Sequence, residues 1–316
     1  MAVTYAEIVS RVKQQLLGYT KDQASVSYLM NDITATDTSF IVDPDTVTNL
    51  SRGLIEIDDE MLLVKKYDRT LGIVTMFGLP TTPSTGRGVE GTVAAPHSAG
   101  ALVVDDPRFP RERIKEAIND TINGVYPDLW VFGEFEFPYV AARYEYPVPA
   151  DADDVYKVTS NTIGPSAVWY PMTNWRFNPM ASTTPGQVKP TPTPTGKTIM
   201  VDLGNNRTVP GRNIRVSYTK APNVLVNNND DFVTTTGFPE RYIDMIVYGA
   251  CWRVLPSYEA GRLQQASIES TERAELVPTS AASNATQFFL ALYTKRLTEE
   301  RTRLQRLFES YQYTNG

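Results

Sequence analysis

The chain has 316 residues, enough for one large core or several small ones, and its 30 basic residues against 36 acidic ones give a net charge of −6, which argues against a free-standing nucleic-acid binder. A hydrophobic fraction of 41% with 21% charged residues excludes a disordered polymer. One cysteine, Cys251, and one histidine, His97, exclude an intrachain disulfide, polyhistidine or cysteine-cluster metal sites and most Cys–His catalysis, and they fit a reducing compartment or an assembly that does without disulfides.

The first element is a helix over Tyr5–Leu17, where Ile8, Val12 and Leu16 recur every four residues. Glu7, Arg11 and Lys13 lie inside that amphipathic pattern, so this N-terminus does not read as a signal peptide. Nor does any apolar run approach the roughly 18 residues that a membrane span needs, and no membrane partner is expected. Residues 24–106 then offer short β-branched or alternating runs bounded by Asp, Gly and Pro: Ser39–Val42, Leu54–Ile57, Met61–Lys65, Gly72–Phe77 and Ala101–Val104. A second helix is expected from about Pro110 to Val125, with Ile114, Ile118, Ile122 and Val125 as its apolar stripe.

A second strand-rich stretch follows, with Tyr139–Tyr146, Val155–Thr159, Val168–Pro171, Thr198–Leu203 and Asn213–Thr219. Within it, residues 182–196 alternate Pro with Thr, a composition suited to an extended hairpin tip or an arm toward a neighbour. A third helix is expected from about Pro239 to Leu255, stopped by Pro256, with a polar helical continuation from about Tyr258 to Glu275. The last and longest helix runs from about Asn284 to Tyr311. Apolar faces on separated helices must bury against something, and each other is the simplest choice. The expected class is therefore α+β: a helical bundle core from residues 1–23, 107–130 and 237–316, carrying two inserted small β domains of barrel or sandwich type, 24–106 and 131–236.

Charge is unevenly placed. Residues 24–106 hold five basic against twelve acidic residues, a net charge of −7, so the first β insertion is the acidic module. Such a surface repels phosphate and would suit a solvated face, a cation site or the wall of a passage that DNA crosses without sticking. Asp58-Asp59-Glu60 is its densest point and supplies the candidates for a channel-facing acidic wall. As a turn between two strands, the triplet would not converge its three carboxylates, because neighbouring side chains of a strand alternate in direction.

Other motifs point to structure more than to chemistry. Gly86-Arg87-Gly88-Val89-Glu90-Gly91 has the spacing of a dinucleotide loop, yet no helical pattern follows it, so these glycines read as tight turns with positive φ. His97 reads as a hydrogen-bonding turn residue, and Cys251 as a small core residue of the third helix. Trp169, Tyr170, Trp175 and Phe177 cluster beside the Pro-rich loop; packing is the default reading and carbohydrate stacking the functional one. No catalytic group, cofactor or metal is expected. The end of the last helix is the most basic stretch, and Arg301, Arg303, Arg306, Phe308, Tyr311 and Tyr313 form the candidate docking element, since Arg and Tyr are enriched at interfaces.

Several segments resemble structural proteins of tailed bacteriophages. Leu54–Val64, Gly86–Thr92 and Ala95–Gly100 resemble a recurrent small β module, and Tyr146-Pro147-Val148-Pro149-Ala150-Asp151 is another such pattern. Thr234–Glu240, Arg253-Val254-Leu255 and Glu259-Ala260-Gly261-Arg262 resemble the head-to-tail connector, or adaptor, proteins. The resemblance implies a structural virion protein, assembled in the bacterial cytoplasm, in a ring typically of twelve copies under the portal. It implies neighbouring copies, the portal protein and a downstream neck or tail protein as partners, with double-stranded DNA passing unbound. The rival readings are a tail or capsid decoration protein that recognises surface glycans and, last, a tail-associated glycan hydrolase.

Overall fold

The computed structural model describes residues 2–17, 25–44, 50, 52–78, 86–140, 143, 145–161, 168–181, 195–201, 212–268 and 281–307, with side chains of the last two helices described up to 256 and from 284. The chain divides into two compact units, one of Met1–Ala2, Ile122–Tyr242 and Leu297–Gly316, the other of Val3–Thr121 and Ile243–Arg296.

The second of these units opens with α1 (Tyr5–Leu17), then strands β1 (Ser25–Tyr28), β2 (Ser39–Ile41), β3 (Gly53–Ile57), β4 (Glu60–Asp68), β5 (Ile73–Met76) and β6 (Leu102–Asp105). The strands form one antiparallel sheet in the order β1-β6-β3-β4-β5-β2. Its two edges approach each other through the Leu29↔Val42 bridge, so the sheet curls into a half-barrel. Alternation sends Ile55, Ile57, Leu62, Val64, Val74, Met76 and Val103 inward, where they pack with Leu29, Phe40 and Val42. Two helices flank the β3–β4 hairpin: α1, and α2 (Arg111–Gly124), whose contacts with it are described below. The same unit holds α4 (Ile243–Ile268), which packs along α1, and the start of α5 (Ala281–Leu307). On α5, Phe289 and Tyr293 face Tyr248 and Trp252 of α4 at ring distances of 6.3 and 6.5 Å.

The other unit is a β-sandwich. Its strands are β7 (Val131–Pro138), β8 (Glu145–Pro147), β9 (Asp154–Asn161), β10 (Trp169–Pro171), β11 (Trp175–Asn178), β12 (Thr198–Val201) and β13 (Asn213–Lys220). They form a four-stranded sheet, β10-β9-β13-β7, and a three-stranded sheet, β11-β12-β8. Both sheets turn apolar residues into one core, with Tyr146 from β8, Val155 and Val158 from β9, Ile199 and Val201 from β12, and Ile214, Val216 and Tyr218 from β13. A short helix, α3 (Phe232–Thr236), follows; Asp231 caps its start by accepting from the Thr234 amide, and Gly237 at φ 77° ends it.

These findings correct the expected fold class. The protein is not a helical bundle core with β insertions. Two separate apolar cores sit inside sheets, and α1 and α2 are anchored to a hairpin of the first sheet. The helical stripes were legible, and α1 does pack along α4, but periodicity did not show that the strands would enclose two apolar cores of their own. A sheet that curls, or that faces a second sheet, buries its inward side chains without a helix. Pro256 does not stop the third helix either. It lies inside a continuous α4, where a proline costs one backbone hydrogen bond without ending the helix.

Candidate functional site

Two clusters carry the charge that the sequence singles out. The first is built on the turn between β3 and β4. Asp58 takes φ 52° in this turn, and Asp58 and Glu60, two residues apart, lie to one side while Asp59 between them lies to the other. Both carboxylates reach His97. Its Nδ1 lies 2.8 Å from Asp58 Oδ2 and its Nε2 2.9 Å from Glu60 Oε2. Ionised carboxylates only accept, so a ring held between two of them donates from both nitrogens and is an imidazolium.

Glu60 also receives Arg87 through Nε at 2.6 Å and Nη2 at 2.7 Å, and the amides of Gly88 and Ala95 at 2.9 and 3.0 Å. The side chains of Glu60 and Arg87 are each 1% exposed and that of His97 2%. Burial pushes Glu60 up, but donation from Arg87, His97 and the Ala95 amide outweighs it and lowers the carboxyl to about 2. Burial likewise pulls His97 down, and hydrogen bonds to Glu60 and Asp58 raise it above its ordinary value. Two anions balance two cations inside the half-barrel's rim. Arg87 extends the knot by donating to the carbonyls of Thr34 and Ala95.

The glycine motif serves this knot. A Cβ on Gly86, at φ 68°, would sit 2.6 Å from the Phe77 carbonyl oxygen, and one on Gly88, at φ 60°, would sit 2.8 Å from the Ala94 nitrogen. No helix begins at the loop, since residues 92–100 are not helical, so the backbone has no dinucleotide-loop geometry.

Asp59 faces away from the knot to α2, where it meets Arg111 Nε at 2.9 Å and Lys115 Nζ at 2.8 Å. Glu56, 3% exposed, accepts from Lys13 of α1 at 2.8 Å and from the Arg111 amide at 2.7 Å, capping the start of α2. Of the three channel-wall candidates, then, Glu60 is enclosed, Asp59 is paired and about a quarter exposed, and Asp58 keeps a 60% exposed side chain.

The second cluster is the end of α5. Within its own unit, Glu300 points inward at 5% exposure and accepts from Arg241 Nε at 2.8 Å, with Leu304 buried one turn on. That stripe turns Arg301, Arg303 and Arg306 outward, and all three are exposed. Arg301 meets Asp128 at 3.2 Å. A cationic helix end is favoured by the backbone carbonyls left free there. Phe308, Tyr311 and Tyr313 lie outside the described residues, as do residues 182–194 of the Pro/Thr-rich loop.

The remaining singled-out residues lie elsewhere in the fold. Cys251 is buried, and burial pushes its thiol to about 12, far from a nucleophile's range. No group of His, Cys, Asp and Glu among the described residues could hold a metal ion. Trp169 lies under Arg215, 4.1 Å from its ring centre, whereas Trp175 and Phe177 pack against the sandwich core, so the four aromatics do not share one platform. No helix among the described residues is long and apolar enough to cross a membrane.

The model of the SU10 adaptor protein family matches residues 97–311, well over half of the chain. The chain belongs to that family. The match begins at His97, so α1 and strands β1 to β5 precede it. No curated protein matches the chain. Membership marks a phage structural adaptor and implies a structural rather than catalytic role.

Proposed function

We propose that this adaptor is a head-to-tail connector: a ring at the head–tail junction of the virion, assembled in the host cytoplasm, that joins the portal to the next neck or tail component. The observation that carries the reading is the outward basic end of α5, whose Arg301, Arg303 and Arg306 are exposed while Glu300 and Leu304 hold the helix down. In this reading the helix end and the aromatic tail after it, with Phe308, Tyr311 and Tyr313, enter a groove on the portal. The arginines meet carboxylates there, and the aromatic side chains supply apolar area. Neighbouring copies close the ring around the DNA.

The acidic first module, net −7 over residues 24–106, suits the wall of that passage. Asp58 and the other exposed carboxylates would present the charge, since Glu60 is enclosed. Phosphate then meets no cationic row to stick to.

The test is a chain truncated after Leu307, compared with the full chain for binding to the portal ring of the same phage. The expected result is a folded subunit, with an unchanged circular-dichroism spectrum, that no longer binds portal. Undiminished binding by the truncated chain removes the docking assignment.

A further inference from the structure

The sheets of the β-sandwich have four edge strands, β10 and β7 in one and β11 and β8 in the other. β7 is one end of the four-stranded sheet and β11 one end of the three-stranded sheet. Among the described residues, each of these two strands is paired along one edge only. Such an edge presents a row of backbone donors and acceptors ready to take another strand, and proteins usually protect it with lysine, an interior proline or a bulge. β7 has none of these devices. It runs eight residues in continuous register with β13, from Val131↔Lys220 to Pro138↔Asn213, and its one proline is terminal.

The side chains along the two edges match. On β7, Phe135 and Phe137 point to the core side but stay half-buried, while Glu134 and Glu136 are exposed on the opposite face. On β11, Trp175 and Phe177 point to the core side and are likewise half-buried, while Arg176 is exposed on the opposite face. Both strands thus read aromatic, charged, aromatic, with opposite charge in the middle. Glu136 meets Arg215 at 2.7 Å, a pair about a third exposed, so the carboxylate still reaches solvent.

We propose that β7 of one copy takes β11 of the next copy as an added strand. The aromatic pairs would complete the core side, and Glu134 and Glu136 would face Arg176 on the outside. The two edges differ and belong to different sheets of one sandwich, so the contact is heterologous. Repeated with a closing rotation, a heterologous contact makes a ring. The inference rests on the ring reading above and names the surface that closes it.

The test uses the full-length chain carrying Glu136→Cys in one preparation and Arg176→Cys in another, mixed with the portal ring and treated with a short bismaleimide. Cys251 is buried, so it gives little background. The expected result is a covalent dimer in the mixture, little product from either variant alone, and a ladder from the doubly substituted chain. In parallel, Glu136→Lys should weaken self-association at least about tenfold, and adding Arg176→Glu to the same chain should regain it. Rings seen by electron microscopy without cross-linking, or without rescue by the charge swap, would overturn the strand pairing and leave the ring standing. Absence of rings on the portal would overturn both.

Discussion

The two sheet regions solve the same problem by opposite means. The half-barrel holds an irregular stretch, residues 86–100, with a knot of buried Glu60, Arg87 and His97 that the exposed Asp58 completes. Among the described residues, the sandwich core holds no such knot. Its Phe137 stacks on Tyr146 at 4.3 Å, and Phe135 meets Tyr218 edge-on at 5.9 Å. Charge pins backbone that has no ladder of its own, because each donor and acceptor fixes a direction. Apolar stacking suffices where strands already set the geometry. The difference predicts that pH and charge changes act on the first region and leave the second alone.

The largest break comes from Glu60→Ala. It leaves Arg87 and His97 buried without their shared anion, at a cost of about 3–5 kcal/mol, read by urea unfolding. A loss below about 1 kcal/mol would mean that the knot is not what holds the half-barrel. In the sandwich, Phe137→Ala removes a half-buried ring and should cost about 2–3 kcal/mol, equally at pH 6 and pH 9.

The next effect is pH dependence itself. The folded value of His97 is raised, so its stabilisation is complete below the unfolded value near about 6.5 and is lost as pH rises through the folded value. Glu60 is lowered from 4.5 to about 2, so its contribution is complete above the unfolded value and is lost progressively as pH falls from there to about 2. Stability of the half-barrel should therefore fall on the alkaline side as His97 loses its proton, and fall again in acid as Glu60 is protonated. His97→Gln should cost about 1–2 kcal/mol near neutrality and flatten the alkaline slope, checked by urea titrations across pH. An unchanged slope would assign the titration to another group. The smallest effect is that of Arg301→Ala, whose exposed pair with Asp128 is worth no more than about 1 kcal/mol. Its visible consequence would be weaker portal binding, increasingly masked as salt is raised.

Much of the local structure could be read from periodicity. The helix over Tyr5–Leu17 and the strands around Leu54–Ile57 and Asn213–Thr219 occupy the segments their patterns indicate. β7 was missed because Gly133 interrupts its pattern and the Phe/Glu alternation covers only its second half; a strand was expected instead at Tyr139–Tyr146. β11 was hidden for a different reason. Trp175 and Phe177 drew the eye as an aromatic cluster, although their spacing of two, with Arg176 between, was a strand signal. The knot could not be found from sequence, since its partners stand 27 and 37 residues from Glu60 and meet through a left-handed turn at Asp58. The only hint was composition: a lone His, an Arg between two glycines and an acidic turn in one short module. The basic end of α5 was legible because a long helix displays its charges without help from the rest of the fold.

Electron microscopy of the full chain mixed with the portal ring of the same phage tests connector function most directly. A symmetric ring stacked coaxially under the portal, with the end of α5 at the contact, is the expected result. Failure of the folded chain to associate, with the protein found instead at the tail tip or on the capsid exterior, would contradict it.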